Sequence, residues 1–92
     1  MFGARRRKRE DATALVLKVT REFLHARGIE RTVTIESRLS QVELGLDSIA
    51  CLELIAEVER QGAMTIPERF WESTSTLTLG GLVDLVVKRG KR

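Results

Sequence analysis

Ser48 closes the run Val42-Glu43-Leu44-Gly45-Leu46-Asp47-Ser48-Ile49 and opens a strongly patterned helical stretch. Gly45 supplies the backbone freedom for a turn just before it. Asp47 and Ser48 both carry oxygens that accept from the orphan N–H groups of a helix start. The same N–H groups and the helix dipole favour negative charge there. A hydroxyl at that point suits attachment of a phosphodiester. It equally suits a plain N-cap serine, and the short run by itself leaves both readings open. Nucleophilic catalysis is disfavoured, because a catalytic serine needs a positioned base. The single histidine, His25, falls on another helix and reads as an exposed helical residue. One cysteine and one histidine give no metal-ligand cluster, so no metal site is expected.

The elements around Ser48 follow from periodicity. Leu15, Val16, Val19, Phe23 and Leu24 recur at helical spacing, with Asp11 as a plausible N-cap and Gly28 as the stop. Residues 29–46 are less regular. Thr32 to Glu36 alternates like a strand but has no partner, so the stretch reads as a long loop. Val33, Ile35, Leu39, Val42 and Leu44 are its expected core anchors, and Ser40 to Leu44 can form a helical turn. A second helix is expected from Ser48 to Gln61, stopped by Gly62, with Cys51, Leu54, Ile55 and Val58 on its core face. Ile49, Leu52 and Ala56 form a second apolar strip, a candidate partner surface or an additional core face. Pro67 fits the first position of a short helix to about Glu72. Phe70 and Trp71 would cover the core or line a pocket. Thr78 can cap a last helix, Leu79 to Lys88, with Leu79, Leu82, Val83 and Val86 inward, Gly80 and Gly81 permitting close packing, and Gly90 ending it. The expected fold is all-α, a small four-helix bundle of three main helices and one short one with a long first loop.

Within this frame Leu44-Gly45-Leu46-Asp47-Ser48-Ile49 resembles the attachment motif of acyl carrier proteins. The resemblance continues through the helix after Ser48, the Ile66-Pro67-Glu68 loop and the last helix, and covers roughly residues 11–88. It implies an acyl-carrier-like bundle and a covalent cofactor, 4′-phosphopantetheine, moved from coenzyme A onto Ser48 by a phosphopantetheinyl transferase. Asp47 would support that modification. The protein would then be a discrete carrier and not an enzyme. It would hold acyl intermediates as thioesters between an acyl-loading ligase or acyltransferase and a downstream synthase or transferase. Ile49, Leu52, Glu53, Ala56 and Glu59 match the positions through which such carriers dock. Ala50 stands where many members carry an acid, and Arg60 replaces another. The less acidic face favours a specialised pathway, polyketide, lipid or other secondary biosynthesis, over housekeeping fatty-acid synthesis. Peptidyl carriers usually have Gly-Gly-His-Ser where this chain has Gly45-Leu46-Asp47-Ser48, so acyl cargo is favoured over aminoacyl cargo. An unmodified carrier-like scaffold is a further alternative.

Charge divides the chain. The 92 residues carry 16 Lys and Arg against 13 Asp and Glu, a net +3. Arg5, Arg6, Arg7, Lys8 and Arg9 form one basic run, and Lys88, Arg89, Lys91 and Arg92 another. Without these nine the remainder is −6, seven basic residues against 13 acidic ones. Residues 1–10 are expected to be a disordered basic tail and 89–92 a second tail, flanking a domain at 11–88. The tails suit an anionic membrane or an acidic surface. A basic-tailed membrane or nucleic-acid module with no attachment at Ser48 is the rival reading. Nucleic acid is disfavoured, since no aromatic residues interleave the cations. Scarce aromatics, three Phe, one Trp and no Tyr, demand an aliphatic core. No apolar run approaches the ~20 residues that span a bilayer. The N-terminus lacks an apolar signal region, and a single cysteine suits a reducing cytoplasm.

Overall fold

The structure, a computed structural model, describes residues 2–67 and 77–89, with side chains over 8–67 and 77–88. It is all-α. Among the described residues four helices follow in order, α1 (Phe2–Ala26), α2 (Gln41–Leu44), α3 (Ser48–Gly62) and α4 (Leu79–Arg89). Among the described residues there is no strand, and an isolated antiparallel bridge joins Arg38 and Thr78. The expected short helix from Pro67 to Glu72, the placement of Phe70 and Trp71, and the Gly90 stop lie outside the described residues. The short helix within them is α2, which the sequence marks only as a helical turn.

Helix α1 packs against both α3 and α4. Ala12, Val16, Val19, Thr20 and Leu24 form its buried stripe, with Leu15 and Phe23 half-buried beside it. Thr20 is the one buried polar residue among those described, and its hydroxyl donates to the Val16 carbonyl at 2.7 Å. That bond removes the penalty of burying an unpaired hydroxyl. The helix ends as Gly28 indicates. Gly28 adopts a left-handed φ of 73°, its N–H reaches His25 O at 3.0 Å, and Ile29 N reaches Leu24 O at 2.9 Å. This pair of bonds is a Schellman motif.

The start of α1 corrects the sequence reading. The helix runs back to Phe2, so Asp11 is an interior residue and not its cap, and the backbone of the basic run is helical instead of a disordered tail over 1–10. Ala, Arg and Lys are strong helix formers, and no Gly or Pro interrupts residues 4–26. Contact with α4 anchors the extension, with the Arg9 guanidinium paired to Asp84. Toward the C-terminus α4 includes Arg89, so a tail beginning there is shortened to residues outside the description.

Helix α3 buries Ala50, Cys51, Leu54, Ile55 and Val58. It runs antiparallel to α1. Gly62 lies beside Leu15, whereas Glu53, earlier in α3, pairs with Arg27 at the far end of α1 at 3.5 Å. Its stop is not Gly62 but Ala63, which takes the left-handed conformation at φ 50° and donates to Arg60 O, while Met64 N reaches Glu59 O at 3.0 Å. Gly62 is helical and closely approached by two side chains. A Cβ there would sit 2.4 Å from Met64 Cε and 2.9 Å from Leu15 Cδ2. The glycine therefore serves close packing, and alanine carries the strained turn one residue later. An L-residue in that region costs about 1 kcal/mol relative to glycine. Ala63→Gly is accordingly expected to stabilise the fold by about 1 kcal/mol, raising Tm by roughly 5 °C for a domain of this size. A thermal melt checks it.

The long loop between α1 and α3 is held from both sides. Val33, Leu39, Leu44 and Leu46 are buried anchors. Ile35 and Val42, expected to join them, are exposed at 45% and 86%. In the single turn of α2, Val42 lies two residues, about 200°, from the inward Leu44 and so must face away. At Ile35 the backbone does the anchoring. A turn closes over Thr34 to Ser37, and the Ile35 carbonyl accepts from Gly80 N at 2.7 Å. Leu39 N reaches Leu77 O at 2.9 Å and Leu79 N reaches Ser37 O at 2.8 Å, which ties the loop to the start of α4. A Cβ at Gly80 would approach Ile35 O to 3.0 Å, so this glycine permits the close packing expected of it. Thr78 caps α4, its hydroxyl accepting from Gly81 N at 2.9 Å, and Leu79, Leu82, Val83 and Val86 are buried.

Candidate functional site

The junction between α2 and α3 sets the position of Ser48. Ser40 caps α2, its hydroxyl accepting from Glu43 N at 3.2 Å. Gly45 closes α2 in a left-handed conformation, φ 72°, with its N–H on Gln41 O at 2.9 Å. Leu44 and Leu46 flank that glycine and are both buried, which pins the turn to the core. Asp47 then leaves in an extended conformation, φ −75° and ψ 179°, and α3 starts at the next residue.

At this start the two candidate residues take separate roles. Asp47 is the N-cap, its Oδ1 accepting from Ala50 N at 2.8 Å, and its carbonyl accepts the first intrahelical bond from Cys51 N at 2.9 Å. Ser48 occupies the first helical position and is exposed. Among the described residues no hydrogen bond engages its hydroxyl. The plain N-cap reading of Ser48 therefore gives way, because Asp47 performs that work. What remains is an exposed hydroxyl at the positive end of a 15-residue helix, beside backbone N–H groups with no intrahelical acceptor.

The surface leading away from Ser48 is apolar in part. Ile49 is 70% exposed and Leu52 37% exposed, and Ala56 is also exposed. The strip formed by these three residues thus faces outward and is not a second core face. Val42 adds an exposed aliphatic side chain six residues before Ser48. The sequence reading placed Val42 in the core; its spacing from Leu44 within one helical turn is the signal that would have turned it outward.

The acids proposed for docking are unequal. Glu53 is exposed but sits 3.5 Å from Arg27, whose guanidinium also lies 4.8 Å from the centre of the Phe23 ring. Glu59 is half-buried, and its Oε2 accepts from Ile66 N at 2.6 Å. It therefore ties down the segment after α3 and is not a free surface charge. Arg60 folds onto Glu57, with Nε 3.1 Å from Oε1. Hydrogen bonding from Arg60, with help from Gln61, holds the Glu57 carboxyl below the usual carboxylate range. The two charges largely cancel at the surface, so the positive side chain that departs from an acidic face is locally compensated.

Cys51 lies directly behind this surface and is buried. Burial pushes its thiol above the ordinary range, and the negative Asp47 adds to the rise. Both effects favour the neutral thiol, which is the unreactive form. A thiol-reactive disulfide reagent at neutral pH is expected to modify Cys51 at least ten-fold more slowly in the native protein than in denaturant. His25 is exposed at the end of α1. Among the described residues no group of three or more His, Cys, Asp or Glu is placed to hold a metal ion. Nor is any described helix long and apolar enough to cross a membrane.

No protein-family model, curated protein or solved structure matches the chain at a significant level.

Proposed function

We propose that the chain is an acyl carrier whose Ser48 bears a 4′-phosphopantetheine arm, with the helical frame being an acyl-carrier-like bundle. The observation that carries this reading is the division of labour at the start of α3. Asp47 caps the helix, and the exposed Ser48 hydroxyl next to it is left without a structural task. A serine retained only for capping would accept a backbone N–H itself.

The residues present fit the group. Attachment forms a bond from Ser48 Oγ to the phosphorus that bears the pantetheine, and breaks that phosphorus's bond to the bridging oxygen of coenzyme A. The leaving group is adenosine 3′,5′-bisphosphate, and the hydroxyl proton passes to a base on the transferase. The resulting phosphodiester anion would lie next to the start of α3, where the helix dipole favours negative charge. Asp47 contributes twice. It fixes the helix start from which Ser48 projects, and its exposed carboxylate supports the transferase in positioning the serine. The bound arm supplies a terminal thiol on which acyl cargo is held as a thioester. Ile49, Leu52 and Ala56, with Val42, offer the apolar contact for partner enzymes, and Glu53 the charge. Glu59 belongs to the scaffold that supports that face. The partners are the transferase, an acyl-loading ligase or acyltransferase, and a downstream synthase or transferase. The mixed, partly compensated charge of the face favours a specialised biosynthetic pathway in the cytoplasm.

The test is incubation of the purified protein with coenzyme A, Mg²⁺ and a promiscuous phosphopantetheinyl transferase, followed by intact mass. The expected result is a gain of one phosphopantetheine per chain. No gain, while a known carrier in the same tube is modified and a panel of other transferases also fails, would overturn the proposal.

A further inference from the structure

We propose that the end of the bundle opposite Ser48 is a docking surface for anionic lipid membranes. Two separate stretches of cationic sequence meet there. Arg5 to Arg9 lie on the first turns of α1, and Lys88 and Arg89 end α4. The two ends are brought together by the packing of α1 on α4 and by the pairing of Arg9 with Asp84. Between them lies an open groove of about 1040 Å³, lined by Lys8, Arg9, Thr13, Ala14, Val87 and Lys88, with Glu10 contributing one acid. The antiparallel run of α3 against α1 carries Ser48 toward the other end, past the Arg27–Glu53 pair. Arg9 and Arg27 are separated by roughly 27 Å of helix.

The molecule is thus electrically polarised along α1. One end concentrates seven cations against Glu10 and Asp84, the latter paired with Arg9, and the rest of the body from Asp11 to Val87 carries −4. Near an anionic plane this arrangement fixes orientation as well as attraction, since the cationic end is drawn in and the acidic body is held away. A lipid surface fits the groove better than a polynucleotide does. Ala14, Val87 and the methylene stems of Lys8, Arg9 and Lys88 give it an apolar lining under a cationic rim, the pattern of side chains that bury their stems at a bilayer boundary. No aromatic residue interleaves the cations of Arg5 to Arg9 or of Lys88 to Arg92, so base stacking has no platform within either run. Its size also exceeds what a single free anion requires. The proposal stands apart from modification of Ser48, which lies at the far end.

The experiment is co-sedimentation of the full chain with vesicles of phosphatidylcholine alone or with phosphatidylserine added, at physiological ionic strength. Lys8→Gln with Lys88→Gln is run alongside, with Ser48→Ala as the control. Both lysines are exposed, so the double variant is expected to keep the fold, and its thermal melt verifies this. Binding to the anionic vesicles is expected at least ten-fold above neutral ones, unchanged by Ser48→Ala. Each lysine removed should weaken it about five-fold, so roughly 25-fold for the pair. Equal binding to neutral and anionic vesicles would overturn the proposal. So would indifference to the double substitution in a folded protein. A short DNA duplex that binds more tightly than the vesicles and strips the protein from them would overturn it in favour of a polynucleotide partner.

Discussion

Replacing Ser48 by alanine is expected to abolish phosphopantetheine incorporation while leaving the fold where it was. The hydroxyl is exposed and hydrogen-bonded to nothing among the described residues, so its removal should change stability by less than about 0.5 kcal/mol. Asp47→Ala should give the reverse pattern. It deletes the 2.8 Å bond to Ala50 N and leaves that N–H uncapped, which costs about 1 kcal/mol. Incorporation should slow without vanishing, because the acceptor hydroxyl is still present. Chemical denaturation together with intact mass on both variants separates the two roles. If Ser48→Ala destabilised the protein as much as Asp47→Ala, the serine would be part of the cap after all, and the division of labour would be wrong.

The second large effect is expected in the core. Leu54→Ala should lower stability by about 3 kcal/mol, with a corresponding fall in the urea midpoint at unchanged slope. Leu54 is fully buried on α3, where it belongs to the aliphatic core shared with α1 and α4. Aromatic residues are scarce in this chain, so few bulky neighbours are available to collapse into the vacated volume. Leu52, two residues earlier and 37% exposed, is the matched control. Leu52→Ala should cost under about 1 kcal/mol, since much of that side chain meets water in the folded state. Equal losses at the two positions would mean that α3 turns a different face to the core, and the outward strip of Ile49, Leu52 and Ala56 would lose its meaning.

The contrast between Leu52 and Leu54 also shows what could be read from sequence. Residues whose structural role is decided within one helical turn were legible. Gly28 stops α1, Thr78 caps α4, and Cys51, Leu54, Ile55 and Val58 share the buried face. The start of α3 at Asp47 and Ser48 was legible for the same reason, although which of the two would cap was not. Both side chains can accept a backbone N–H, and only the conformation at Asp47 decides between them. Residues whose role depends on distant neighbours were misread. Gly62 has the composition of a helix stop, but it is helical beside the side-chain ends of Leu15 and Met64, and the left-handed residue that ends the helix is Ala63. Asp11 has the composition of a cap, but α4 offers Asp84 to Arg9 and the helix extends through it. Val42 and Ile35 look like core anchors by hydrophobicity alone. A one-turn helix and a loop held by its backbone both leave them outside. The resemblance implies docking through Glu59, yet its carboxylate is committed to Ile66 N, a contact seven residues away that no periodicity announces.

The same geometry explains why the candidate site is confined to so few residues. The buried Leu44 and Leu46 fix the turn, Gly45 reverses it, and Asp47 starts the helix. Ser48 is the first exposed hydroxyl beyond that fixed frame. The turn and cap that present it lie within Leu44 to Ser48, and the helices around them hold that segment to the core.

The most direct measurement is the location of the modification. After reaction with coenzyme A and a promiscuous transferase, trypsin cutting after Arg38 and Arg60 releases Leu39–Arg60, which contains Ser40 and Ser48. Fragmentation of that peptide assigns the arm to one hydroxyl. All of it is expected on Ser48 and none on Ser40, whose oxygen is occupied capping α2. An arm on Ser40, or a peptide that stays unmodified while a control carrier is loaded, would contradict it.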